Sequence, residues 1–190
     1  MTFRTRCPSL RFAAVLSLGL SVATLTVRAQ SAPPAPRAPE RPVAGSMLEP
    51  LLPAPEGWTR AKAGSNSVVV SESCDYSFAD ATYLKDSMKV RVTLADTGFN
   101  AQALGLLATM VVSLPDGYTG EVPPATTVAR VNVNGLPAAS RWDAKDREGE
   151  FTMLVAGRFV VKAEGTKVDA LATLRAIVEL VDVKKVGALK

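Results

Sequence analysis

The chain has 190 residues, 47% of them hydrophobic, with 22 basic and 18 acidic side chains, two cysteines and no histidine. The missing histidine excludes Ser-His-Asp and Cys-His catalysis and every metal site built on an imidazole. The net charge of +4 suggests an anionic partner until the positions of the charges are considered.

Arg4, Arg6 and Arg11 form a basic start, and Phe12 to Val27 is an almost uninterrupted apolar run. Val27-Arg28-Ala29 then supplies small residues at the spacing a signal peptidase reads, which predicts a signal peptide over 1–29 and a new N-terminus at Gln30. The run is shorter than the ~20 apolar residues of a bilayer span, which weighs against a single uncleaved membrane helix. No Leu-x-x-Cys follows it, so no stable membrane anchor is expected after processing. Export to the periplasm is expected in a Gram-negative source, and secretion otherwise.

Four of the 22 basic residues and none of the 18 acidic ones fall within residues 1–29, so the remainder is formally neutral. No Lys/Arg cluster survives that would neutralise several phosphates, and nucleic acid is not an expected partner. Cys7 leaves with the leader. Cys74 then has no intramolecular disulfide partner, and no histidine to activate it.

Eight prolines lie between Gln30 and Pro55. Proline lacks an amide donor and fixes φ, so residues 30–56 are expected to form an extended proline-rich tether. The apolar cluster Met47 to Leu52 is the one part expected to pack onto the domain.

Residues 57–190 read as a single domain. Strands are expected at Ser67 to Ser73, Asp75 to Leu84 and Met88 to Leu94; the last has Met88, Val90, Val92 and Leu94 on one side. Phe99, Ala103, Leu106/Leu107, Met110 and Leu114 have helical spacing, with Asp96, Thr97 or Asn100 as caps and Pro115-Asp116-Gly117 as the stop. Thr126 to Val133 and Leu136 to Trp142 flank Asn134-Gly135, a strong hairpin turn signal. Strands follow at Phe151 to Ala156 and Phe159 to Ala163. Val168, Leu171, Leu174, Ile177/Val178 and Val181 mark a second helix, with Thr166 and Asp169 in the arrangement of a capping box. The expected fold is α+β: a long antiparallel sheet with two helices on one face, built from two strands-then-helix halves.

From Leu51 to Lys190 the chain resembles a family of small exported bacterial proteins with no assigned activity. The likeness rests on Leu52-Pro53 through Gly57-Trp58, Val90 to Asp96, Asn134-Gly135-Leu136-Pro137-Ala138, Gly157-Arg158-Phe159-Val160-Val161 and Val168-Asp169. The strand and helix pattern also looks like the Mog1/PsbP-like folds. Both likenesses rest on turns and core positions, so they imply a fold and transfer no reaction.

Candidate chemistry is sparse. Asp143, Asp146, Glu148 and Glu150 crowd one segment, but Arg141, Lys145 and Arg147 interleave with them, as in a solvated loop. Arg158, in a turn between apolar strands, is a candidate for binding an anion through its fork. It is equally suited to pairing with Asp96 or Glu164. Trp142 is a second candidate binding residue, and Trp58 and Trp142 are otherwise core anchors. No catalytic residue, metal ligand or cofactor is assigned. The function expected is a non-catalytic envelope or secreted module that binds a protein or small ligand. The alternatives are a histidine-independent hydrolase or lyase working through carboxylates and arginine, and a purely structural or stress-related role. An open sheet edge or apolar patch favours the binder, and convergent acids of perturbed pKa favour the enzyme.

Overall fold

The computed structural model describes residues 38, 40–71, 74–122 and 125–190. The leader expected over 1–29, and the proline-rich stretch as far as residue 37, lie outside the described residues.

Among the described residues eight antiparallel strands form one sheet, so the fold is mixed α+β. In chain order they are β1 (Thr59–Ser71), β2 (Cys74–Lys85), β3 (Met88–Asp96), β4 (Thr119–Val122), β5 (Thr126–Val133), β6 (Leu136–Asp143), β7 (Glu148–Val155) and β8 (Phe159–Thr166). Their order across the sheet is β1-β2-β3-β8-β7-β6-β5-β4. The last strand is therefore inserted beside β3, and β1 and β4 are the edges. The Asn134-Gly135 hairpin forms as expected, with φ of 52° and 84° at the two turn residues.

The helices are short: α1 (Gly45–Leu48), α2 (Ala101–Leu107), α3 (Thr109–Ser113), α4 (Leu171–Glu179) and α5 (Val183–Gly187). The single helix expected after β3 is broken at Ala108, whose φ of −128° is not helical. Asn100 caps α2 by accepting the amides of Gln102 and Ala103. The capping box expected at Thr166 is absent. Helix α4 starts at Leu171 after Ala170, and Asp169 pairs with Arg147 instead. Among the described residues no helix is long and apolar enough to cross a membrane.

The two helical segments do not share a face of the sheet, which corrects the sequence expectation. Leu174, Ile177 and Val178 of α4 pack with Val90, Val92, Leu94, Val161 and Ala163. Ala108 and Val111 pack with Ala95, Ala139 and Val160. Leu94/Ala95 and Val160/Val161 are consecutive residues, and consecutive side chains on a strand point to opposite faces. The central strands are thus covered on both sides.

Residues 40–56 form a strap on the α4 face: Leu48 and Leu52, from the cluster expected to pack, are buried in the main core, and so is Val43, from the part expected to be a free tether. Gly45 lies so close to β1 and β2 that a Cβ there would meet the Asn66 and Phe78 carbonyl oxygens at 2.6 and 2.7 Å. Tyr83 donates its hydroxyl to the Pro53 carbonyl oxygen. Burial pushes the Tyr83 hydroxyl above its ordinary pKa, with Arg60 opposing the shift. Proline density marks a segment that cannot form ladders, but it does not stop three spaced apolar side chains from entering a core.

Candidate functional site

Arg158 follows the β7–β8 turn, where Ala156 and Gly157 both have positive φ. Its side chain is 4% exposed and grips Asp96, itself fully buried, through two bonds: Nε to Oδ1 at 2.6 Å and Nη2 to Oδ2 at 2.7 Å. Nη1 donates to Glu40 at 3.0 Å. Asp96 also accepts the Val43 amide at 2.8 Å and the Gly98 amide at 2.9 Å. The guanidinium lies 5.5 Å from the Phe99 ring centre and 5.0 Å from that of Phe159. The bond to Asp96 is the largest cause holding the Arg158 pKa above its ordinary value. Of the two carboxylates offered by the sequence, Asp96 is the one that Arg158 takes, and Glu164 is on another part of the sheet.

Trp142 lies half-buried against the main core. Its ring covers Gly149, its partner on β7, so closely that a Cβ there would meet Cε3 at 2.7 Å. Trp58 packs at the edge of the same core. Arg158 and Trp142 are not brought together.

The acidic segment divides. Asp143 closes the β6–β7 turn by accepting the Lys145 and Asp146 amides at 2.9 and 3.0 Å, and Thr126 donates to its other oxygen at 3.1 Å. The Asp146 amide is the main cause that holds the Asp143 carboxyl below the usual aspartate range. A group depressed in the folded state stabilises above its unfolded pKa, and that contribution is lost as pH falls through the folded pKa. Carbon-detected titration of Asp143 should therefore report a low value, and Asp143→Asn should show a flatter loss of stability on acidification. An ordinary titration would contradict the turn geometry.

Glu148 and Glu150, placed by the sequence in that solvated loop, are instead on β7, and Arg141 is on β6. They join residues from β3 and β8 on the face that α2 and α3 cover only in part. Across the sheet Arg91 stands opposite Glu164, Glu164 opposite Glu150, and Glu150 opposite Arg141. The outer pairs do not close. Arg91 reaches Asp80 at 3.2 Å, and Lys162 sits 2.9 Å from Glu164 and 3.7 Å from Glu150. Thr152 also donates to Glu150 at 2.8 Å. Arg141 and Lys89 make no ion pair with any described residue. The result is a groove of about 420 Å³ whose lining includes Lys89, Arg91, Arg141, Glu148, Glu150 and Glu164.

Toward α2 and α3 the groove meets Leu106, Leu107 and Met110 at the helix break, with Arg141, Glu150 and Lys162 below, around a space of about 230 Å³. The sequence analysis singled out Arg141, Glu148 and Glu150 as part of a solvated loop, but not their neighbours on β3 and β8. The signal available was charge at every second position: Lys89 and Arg91 before Ala95, and Lys162 and Glu164 after Val160. Only the pairing of β8 between β3 and β7 unites them. Among the described residues no group of three or more Cys, Asp or Glu side chains is placed to hold a metal ion. No family model, no curated protein and no solved structure matches the chain.

Proposed function

We propose that the protein is an exported binding module that takes a charged small molecule or peptide end in the groove between β3 and β6. The observation that carries this reading is the unmatched charge. Like charges directly opposite on neighbouring strands are destabilising by roughly 0.2–1 kcal/mol, and opposite charges stabilise by as much. A face selected only for solvation would set acid against base, whereas Glu150 faces Glu164, and Arg141 has no counter-ion despite having Glu150 opposite it. Departures from local rules concentrate where a protein does its work. The open edges β1 and β4 also suit a binder.

Stability and binding should therefore move independently. Glu150→Gln removes the repulsion from Glu164 together with the 3.7 Å contact to Lys162, so it is expected to change the unfolding free energy by less than about 1 kcal/mol while weakening retention of ligand. Arg141→Gln should leave stability within about 0.5 kcal/mol, as for most exposed sites, and also weaken retention. The test equilibrates the protein and each variant with the small-molecule fraction of its native envelope or medium and compares the retained compounds by mass spectrometry. Identical retained sets from wild type and Arg141→Gln would remove the groove as the binding site.

A further inference from the structure

Three kinds of chemistry meet within the space of about 230 Å³ under the helix break. Arg141 supplies an exposed guanidinium with no ion pair among the described residues, and a free fork matches a carboxylate bidentately. Glu150 supplies a carboxylate of which Oε1 takes the Thr152 hydroxyl, while Oε2 meets only a distant Lys162 at 3.7 Å. Leu106, Leu107 and Met110 supply an apolar wall, and Leu106 is 59% exposed. Lys162 is committed to Glu164 at 2.9 Å, and Glu150 is the acid that lines this space.

We infer that this space is a subsite for a free α-amino acid with a large apolar side chain: carboxylate on Arg141, ammonium on Glu150, side chain against Leu106, Leu107 and Met110. The assignment rests on the groove being the binding site and names what the groove selects. A ligand carrying only one charge leaves either Arg141 or Glu150 without its match, so the zwitterion is preferred over both halves. Polar side chains lose the contact with the apolar wall.

Amide-detected NMR titration of the full chain with L-leucine and L-phenylalanine tests this. Controls are 4-methylpentanoate, which lacks the ammonium, and 3-methylbutylamine, which lacks the carboxylate. Saturable shifts centred on Leu107, Arg141, Glu150 and Lys162 are expected with the two amino acids. Affinity should fall at least tenfold for either control, and at least tenfold for leucine with Arg141→Gln or Glu150→Gln. Met47→Ala, exposed on the strap, should leave binding unchanged and controls for handling. Equal affinity for leucine and 4-methylpentanoate would overturn the zwitterion, as would an absence of saturable shifts. If the groove retains another charged compound, in an Arg141-dependent way, but ignores both amino acids, the ligand class fails and the binding module stands. If Arg141→Gln changes nothing in either experiment, both fail.

Discussion

A chain that begins at Gly57, where the sequence places the start of the domain, is expected to show no cooperative unfolding transition. The truncation removes Leu48, which is fully buried, together with Val43 and Leu52, each 7% exposed. Losing one buried leucine side chain costs about 2–5 kcal/mol where the site cannot collapse. The whole stability of a domain is typically about 5–15 kcal/mol. The cut also leaves the Tyr83 hydroxyl without the Pro53 carbonyl and Asp96 without the Val43 amide. A chain beginning at Pro36 keeps all of these. Urea melts of the two, followed by far-ultraviolet circular dichroism, should show a sharp midpoint only for the longer one. Coincident midpoints would mean that the strap contributes nothing to folding.

The second large effect is expected at Arg158. Removing one member of a buried ion pair leaves the other charged and unpaired, at a cost of about 3–5 kcal/mol. Asp96, with no exposed surface, would be the group left behind in Arg158→Ala. Arg158→Lys keeps a charge but cannot reproduce the two parallel bonds to Asp96 and the third to Glu40, so an intermediate loss is expected. The double change Arg158→Met with Asp96→Leu should recover part of the deficit, because a buried pair is often replaceable by apolar residues of similar volume. An Arg158→Ala protein with the wild-type midpoint would show that the guanidinium is not structural and would return it to consideration as an anion-binding group.

Much of the sheet was legible in the sequence because its signals are local. The alternation of Met88 to Leu94 and the Asn134-Gly135 dipeptide state their own geometry, and the pattern called for an α+β fold. β4 was not legible: Thr119–Val122 is only four residues long and contains Gly120. The first half of β1 gives a weak signal because Thr59 to Gly64 carries only the small apolar side chains of Ala61 and Ala63 beside Arg60 and Lys62, as suits an exposed edge strand. The misplaced helix had a readable warning in Phe159-Val160-Val161, a continuous apolar run of the kind that marks a strand buried on both faces. The groove was the least legible feature. Its charges are contributed by β3, β6, β7 and β8, and only the insertion of β8 beside β3 makes neighbours of residues more than 70 positions apart, such as Arg91 and Glu164.

The bond from Arg158 to Glu40 also fixes where the chain enters the domain. Glu40, Arg158 and residues 187–190 line one common hollow, so these two stretches of chain lie at the same end of the sheet. Lys89, Glu148 and Thr166 mark the far end of the groove, roughly 20 Å away along β3 at ~3.3 Å per residue. A fluorophore, affinity handle or solid support attached beside Glu40 or at Lys190 would therefore sit at the opposite end of the strands from that part of the groove, which would remain open to whatever diffuses past.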